Sequence, residues 1–484
     1  MRNIFLIIFL LSLQVYSQTD LHNYCVEIQK DPLLANASLS LCVLDGKEGT
    51  VLYGYHENTS LSPASTMKTI TTASALQILG KDFHFDTYLQ YTGKLDKATG
   101  ILEGDLIIKG GGDPTLNSEY FRKPADSFNV VNRWATILKE KGIKKIAGRI
   151  VPDISLLEEE VPGTWVWGDL GNYFGAAPCG LNYNDNKIYL VFKPVFKNGD
   201  SILLSGTVPY VNNIKVINHL KAGGVEDNSL IYRSPESNEL KVYGTLPVSA
   251  KTQAIEASLP APYILLVKHF QQALTLQGIE LANSDHVVIQ TAGKKKDEPQ
   301  RTTLYVHRSP SLEKIIFFTN MHSNNLYAES IFRAIAIKKG GWGSNWQAIQ
   351  AVMLHLKSKG LSTDGLFIND GSGLSRSNGV NGKLMAEILY MMKRDSIVGA
   401  AFYNSLPVAG ESGSLRSLGK GTPLEKNFHA KSGYITRVRA YSGYLKSAGG
   451  KELCVSLIVN NYNGGPHQVK KMIEEMLVKV YESF

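Results

Sequence analysis

Ser65 and Lys68 stand three residues apart in SPASTMKTITTASALQILG, at the front of a run with helical spacing. Positions i and i+3 share one face of a helix, so the amine lies within hydrogen-bond reach of the hydroxyl. A neutral amine there accepts the hydroxyl proton and turns a weak nucleophile into a strong one. The start of a helix also aims backbone N–H groups at any oxyanion that forms beside Ser65. Spacing alone is weak evidence, because Ser311–Lys314 and Ser417–Lys420 repeat it. The bland alternative is a helix-start hydroxyl followed by a solvated lysine.

Two further groups raise the reading. Ser323-Asn324-Asn325 falls between two helical stretches, where polar side chains can face a cleft. Lys431-Ser432-Gly433 falls on a strand, and no second Lys-Ser/Thr-Gly occurs in the chain. Ser-x-Asn by itself is common, and Ser127-Phe128-Asn129 matches it too. The ordered set Ser-x-x-Lys, Ser-x-Asn, Lys-Ser-Gly on helix, loop and strand is far more specific, and it is the signature set of serine penicillin-recognising enzymes. The long separation of the first group from the second fits a large insertion. GDLIIKGGGDPTL (104–116), NDGSGLSRSN (369–378), SNNLYAE and LPVAGESGSL extend the match. On these motifs the chain resembles the low-molecular-mass class C penicillin-binding proteins, the D-alanyl-D-alanine carboxypeptidase/endopeptidase family.

The resemblance implies roles. Ser65 is the acylated nucleophile and Lys68 its base. Two lysines facing one cleft favour a neutral amine at one of them. Ser323 relays a proton to the leaving amine, and Asn325 orients Lys68 or the substrate amide. Lys431 and Ser432 bind the terminal carboxylate. Gly433 lets the peptide lie along the strand as an added one. The N–H groups of Ser65 and Tyr434 form the oxyanion hole. The sequence departs from the family in places: Asn324 stands where Asp is common, Ser432 where Thr is usual, and Cys179-Gly180 where Val-Ser-Ala-Leu is common. Ser432 keeps the hydroxyl; the Cys179 change has no mechanistic account. GGGDP lacks the Lys-Ser/Thr of a nucleotide loop and reads as a turn after a strand.

The elements that must hold these residues follow from patterning. SLSLCVLD and VLYGYHE read as two strands about a turn at Asp45-Gly46-Lys47. Ile70, Ala73, Leu76 and Leu79 form an apolar helical stripe that Gly80 stops. From about residue 90 to 304 short β-rich runs alternate with turn signals, with one clear helix, FNVVNRWATILKEKG. Helical patterning resumes at SLEKIIFFTNM, LYAESIFRAIAIKK and NWQAIQAVMLHLKSKG. FHAKSGYIT, RAYSGYLKSA and ELCVSLIVNN then read as antiparallel strands before a final amphipathic helix. The expected fold is α/β (α+β), a penicillin-binding/β-lactamase-like transpeptidase domain. Residues 18–90 and 305–484 build the catalytic domain, and 91–304 form a β-rich insertion of two nested subdomains.

The 484 residues carry a net charge of +8 spread along the chain. The tightest basic cluster, Lys294-Lys295-Lys296, runs into Asp297-Glu298 and reads as a solvated loop. No basic stripe with interleaved aromatics points to nucleic acid. Arg2, the apolar run Ile4–Leu13 and the small residue Ser17 read as a signal peptide cleaved near Ser17, hence a periplasmic or secreted protein with at most peripheral membrane contact. Cys25, Cys42, Cys179 and Cys454 match no zinc spacing and read as small buried thiols. The histidines form no metal-ligand array, so no metal or cofactor is expected. The partners that follow are peptidoglycan stem peptides, with β-lactams as covalent inhibitors. The expected activity is a serine D-alanyl-D-alanine carboxypeptidase, with endopeptidase action left open. A β-lactamase and a non-catalytic wall-binding or β-lactam-sensing protein are the rivals.

Overall fold

In the computed structural model, residues 19–122, 129–159, 161–283, 289–291 and 299–484 are described. The expected leader, Ser127-Phe128 and the Lys294–Glu298 cluster lie outside them. The chain separates into two units: the segments ending at Asp82, Leu312–Asn324 and Ala348–Phe484 form the first, and Phe83–Ser311 with Asn325–Gln347 the second.

The apolar runs of the chain ends build the first unit's sheet. Strands β1 (Ser38–Asp45) and β2 (Val51–Tyr55) join β3 (Phe428–Ile435), β4 (Val438–Lys446) and β5 (Glu452–Asn460) in the order β2-β1-β5-β4-β3, antiparallel throughout. β5 is central and buried on both faces beyond its first residue, so ELCVSLIVN lacks the alternation of a half-exposed strand. A C-terminal helix, Pro466–Ser483, lays Val469, Ile473, Met476, Leu477 and Val480 on one face of the sheet with Leu41, Val43, Val455 and Leu457.

Helix α1 (Met67–Leu79) is buried around its whole circumference over its first ten residues, threonines and Ser74 included. The apolar stripe read from sequence is thus only part of its buried surface. The threonines tolerate burial by bonding: Thr71 Oγ1 donates to the Gly371 carbonyl at 2.6 Å and Thr72 Oγ1 to the Lys68 carbonyl at 2.6 Å. Helix α2 (Leu312–His322) ends just before Ser323. Helix α3 (Gly382–Arg394), absent from the sequence reading, is capped by the Asn381 side chain, which accepts from Leu384 N at 2.7 Å, and it packs on β1, β4 and β5.

Among the described residues, the second unit holds two four-stranded and two three-stranded sheets and one two-stranded pair. Ile150–Asp153 pairs in parallel with Leu106–Lys109 across the crossover helix Asn129–Glu140. A second long helix, Pro262–Leu276, escapes the sequence reading because PYILLVKH is an apolar run whose periodicity does not separate strand from helix. Trp134 meets Phe270 edge-on between the two helices at 5.7 Å. All four cysteines are free and buried, and burial raises the Cys42 and Cys454 thiols to about 12. Among the described residues, no helix is long and apolar enough to cross a membrane.

Burial also lowers His269, on that second helix, to about 4 from the ordinary 6.5. Its Nδ1 faces the Tyr183 hydroxyl at 3.0 Å. Below pH 6.5 the unfolded chain takes up a proton that the folded chain refuses until about pH 4. Stability is therefore full above 6.5 and falls with acidification toward 4, by a loss on the order of 3 kcal/mol. Urea denaturation of the wild type between pH 7 and 4 is expected to show this slope, and His269→Gln to reduce it, the remainder coming from His307, which burial also lowers to about 4. An equal slope in both proteins counts against the assignment.

Candidate active site

Ser65 lies in a 3₁₀ turn, Ala64–Thr66, that leads directly into α1. Ala64 has a left-handed backbone, φ 46°, which swings the chain into the turn and leaves Ser65 half-buried. Strain of this kind concentrates at sites where neighbouring structure over-determines the backbone. One helical turn on, Lys68 is fully buried. Its Nζ donates to Ser65 Oγ at 3.0 Å and to the Ser372 carbonyl at 2.6 Å. The carbonyl fixes the amine against the hydroxyl, so the two reacting atoms are held in place before any substrate arrives.

Ser372 belongs to the 369–378 loop, and Asp370 holds that loop together. Its carboxylate accepts from Gly373 N at 2.8 Å, Ser375 N at 2.6 Å and Asn378 Nδ2 at 2.7 Å. Asp370 is completely buried.

Lys431 enters from β3. It too is fully buried. Burial, reinforced by the charge of Lys68, drives its pKa well below the ordinary lysine value. Its Nζ contacts Ser323 Oγ at 3.0 Å and donates to the Ser432 carbonyl at 2.7 Å. Ser323 follows the end of α2 with φ 56°, a second left-handed residue at the site. The lysine amine is thus engaged with Ser323. The open face of this corner is made of hydroxyls: Ser432 Oγ lies 2.7 Å from Ser414 Oγ, in the 3₁₀ turn Gly413–Leu415.

β3 is an edge strand. The 407–409 segment pairs its first half, through Ala430 N to Pro407 O and Ala409 N to Phe428 O, both at 2.9 Å. Beyond Ala430 no further backbone ladder runs along this edge among the described residues. Gly433 sits where the edge meets the Ser65 turn. A Cβ there would lie 2.5 Å from the Pro63 carbonyl and 3.1 Å from Ser65 N. Gly433→Val is therefore expected to push the turn off the strand and slow acylation by a fluorescent penicillin about 100-fold. A wild-type rate would mean that the contact does not position Ser65. Tyr434 follows on the same edge, half-exposed, with the Arg439 guanidinium 4.0 Å from its ring centroid.

The first unit thus brings Ser65, Lys68, Ser323, Lys431, Ser432, Gly433 and Tyr434 to one corner. Asn325 opens the helix Asn325–Gly340 of the second unit, where its Nδ2 donates to the Phe174 carbonyl at 2.8 Å. The sequence reading missed the Ser372 carbonyl, the anchoring by Asp370 and the Ser414 hydroxyl. Their only signal was the quoted NDGSGLSRSN and LPVAGESGSL stretches.

The arrangement suits acyl transfer: a hydroxyl on a buried amine, a second hydroxyl on a second buried amine, and a strand edge able to dock a peptide backbone. Comparison with known proteins agrees. The model of the D-Ala-D-Ala carboxypeptidase 3 (S13) family matches residues 22–482. A D-alanyl-D-alanine carboxypeptidase of Actinomadura sp. (strain R39) is 28% identical over 463 residues, covering 93% of this chain and 82% of that protein. The D-alanyl-D-alanine carboxypeptidase DacB of Haemophilus influenzae is 27% identical, with 87% and 85% covered. The crystal structure of penicillin binding protein 4 (dacB) from H. influenzae shares the fold at TM-score 0.78 and 24% identity, over 96% of this chain and 99% of that one. The same protein complexed with a β-lactam gives 0.75.

Proposed function

The chain belongs to the D-Ala-D-Ala carboxypeptidase 3 (S13) family, and on that premise we propose that it removes the terminal D-Ala of peptidoglycan stem peptides through an acyl-enzyme on Ser65. The observation that carries the reading is Lys68 Nζ held 3.0 Å from Ser65 Oγ by the Ser372 carbonyl. Ser65 Oγ attacks the carbonyl of the penultimate D-Ala while Lys68 accepts the hydroxyl proton. The N–H groups of Ser65 and Tyr434 receive the oxyanion. Ser323 gives its proton to the departing amine nitrogen, and the proton that Lys68 took from Ser65 passes through Lys431 to Ser323, so that Lys68 is neutral again. The C–N bond breaks and D-Ala leaves with its carboxylate on the Ser432 and Ser414 hydroxyls. Water, deprotonated by Lys68, then cleaves the ester and regenerates Ser65.

A β-lactam carbonyl presents the same acyl centre, so penicillin acylates Ser65. The protein acts outside the cytoplasm, its leader removed near Ser17; the charged start, apolar core and small residue of that stretch support this. Endopeptidase cleavage of cross-links accompanies carboxypeptidase action. Of the rivals, neither a β-lactamase nor a non-catalytic wall-binding protein is the family to which the chain belongs. The test is incubation of the purified protein with muropeptides ending in D-Ala-D-Ala, with products read by mass. Loss of one terminal alanine is expected, and intact peptides would refute the reading.

A further inference from the structure

The Pro262–Leu276 helix of the second unit starts at the wall of a cavity of about 370 Å³, which is lined by residues of that unit. Ala261, left-handed at φ 49°, turns the chain into the helix, and no side chain caps the first turn. The positive end of the helix dipole therefore faces the cavity. Arg233 lines the same cavity and is only 5% exposed. Its Nε donates to Ser258 Oγ at 3.2 Å, and its Nη1 to the Pro235 carbonyl at 2.7 Å and the Ser234 carbonyl at 3.3 Å. All three acceptors are neutral. Among the described residues, no carboxylate pairs with this guanidinium, and its Nη2 has no acceptor. A buried cation without a counter-charge is costly, and here its unused donors belong to a side chain in a cavity wall.

Two carboxylates line the cavity as well. Glu159 and Glu236 are exposed, so they stand at its mouth while Arg233 lies in its depth. Glu159 is held there by the Tyr263 hydroxyl, which donates to its Oε1 at 2.7 Å. Charges of opposite sign thus face one volume without meeting each other. We propose that this cavity binds a small zwitterion, its carboxylate on Arg233 Nη2 and the helix start, its ammonium at Glu159 and Glu236. A plain anion is repelled at the mouth and a plain cation in the depth, so a ligand carrying both charges fits best. Free amino acids and short peptides are that class. The volume lies at the lower end of the range for small-ligand sites, about 300–1,000 Å³, and admits about one to three residues. Ala176, Ala177 and Cys179 give the cavity a wall of short side chains, which leaves that room. The cavity belongs to the second unit and Ser65, Lys68 and Lys431 to the first, so the inference goes beyond the carboxypeptidase reading and does not rest on it.

The experiment is calorimetric titration of the full-length protein with glycine, triglycine, N-acetyl-triglycine and triglycinamide. None of the four contains the D-Ala-D-Ala bond of the proposed reaction. Wild type is expected to bind triglycine, and to bind triglycinamide about tenfold or more weakly, because the amide forfeits the charged bond to Arg233. N-acetyl-triglycine is expected to bind about two- to fivefold more weakly, as the loss of an exposed ion pair requires. Arg233→Met should erase the difference between triglycine and triglycinamide. The double variant Glu159→Gln/Glu236→Gln should erase the difference between triglycine and its N-acetyl form. It alters only exposed side chains, so it still decides the case if circular dichroism shows that Arg233→Met does not fold. Glycine bound as tightly as triglycine assigns the cavity to free amino acids, and tighter binding of triglycine assigns it to short peptides; both uphold the proposal. A wild type that binds none of the four, or binds triglycine and triglycinamide alike, overturns it. So does either preference surviving in the folded variant meant to erase it.

Discussion

Ser65→Ala is expected to abolish covalent labelling by fluorescent penicillin and to lower D-Ala release by about 10⁴-fold or more, with the fold intact. The size follows from the loss of the only atom that forms the ester. A positioned amine, an oxyanion hole and a docking strand remain, but without Ser65 Oγ they serve only direct attack by water. Stability should hardly move. Ser65 is half-buried, and the lost hydroxyl accepts from a Lys68 amine that keeps its 2.6 Å bond to the Ser372 carbonyl. Gel fluorescence after incubation, paired with a urea titration, checks both halves. Persistent labelling of the alanine variant would place the nucleophile elsewhere.

Asp370→Ala carries the largest expected loss of stability, about 4 kcal/mol for the first unit. The carboxylate accepts from two backbone N–H groups and one amide inside a completely buried loop. Truncation leaves the two backbone N–H groups without their acceptor where water does not reach, and Asn378 Nδ2 with only its bond to the Ser375 carbonyl. The same loop presents the Ser372 carbonyl to Lys68, so acylation should slow as well, by about tenfold or more. Asp370→Asn, which keeps the shape and one acceptor oxygen, should fall between. Urea midpoints and penicillin acylation rates measured on the same preparations test the link. A variant as stable as wild type, or one destabilised yet acylated at the normal rate, would separate the loop from the amine it holds.

The parts of the site legible in sequence were those written in side chains. Ser65 with Lys68, Ser323, and Lys431-Ser432-Gly433 each combine residue type, spacing and an element that local patterning reveals. The three late strands were legible for the same reason: FHAKSGYI, VRAYSGYLK and ELCVSLIVN are runs rich in aromatic and aliphatic residues separated by short turns. What escaped is written in backbone or in neighbours. The Ser372 carbonyl has no side-chain signature, and Asp370 in a Gly/Ser-rich stretch reads as a turn until its three donors are seen. Helix α1 was read as one-sided because Thr69, Thr71, Thr72 and Ser74 count as polar, yet all four are buried. Helix α3 went unassigned, although Lys383, Glu387 and Arg394 on one side and Leu384, Met385, Ile388, Leu389 and Met392 in the core give it a clear amphipathic face. The second unit's Pro262–Leu276 helix shows the opposite problem, since an apolar run in a β-rich context takes the character of its surroundings.

The half-covered edge of β3 also bears on colloidal behaviour. An unpaired strand margin invites the margin of another molecule, and long flat ones seed insoluble assemblies. Here the 407–409 segment closes the margin as far as Ala430. Arg437, left-handed at φ 61°, turns the chain away just past Ile435. The opening between them is long enough for the end of a short peptide and too short to template a neighbour's strand along this margin.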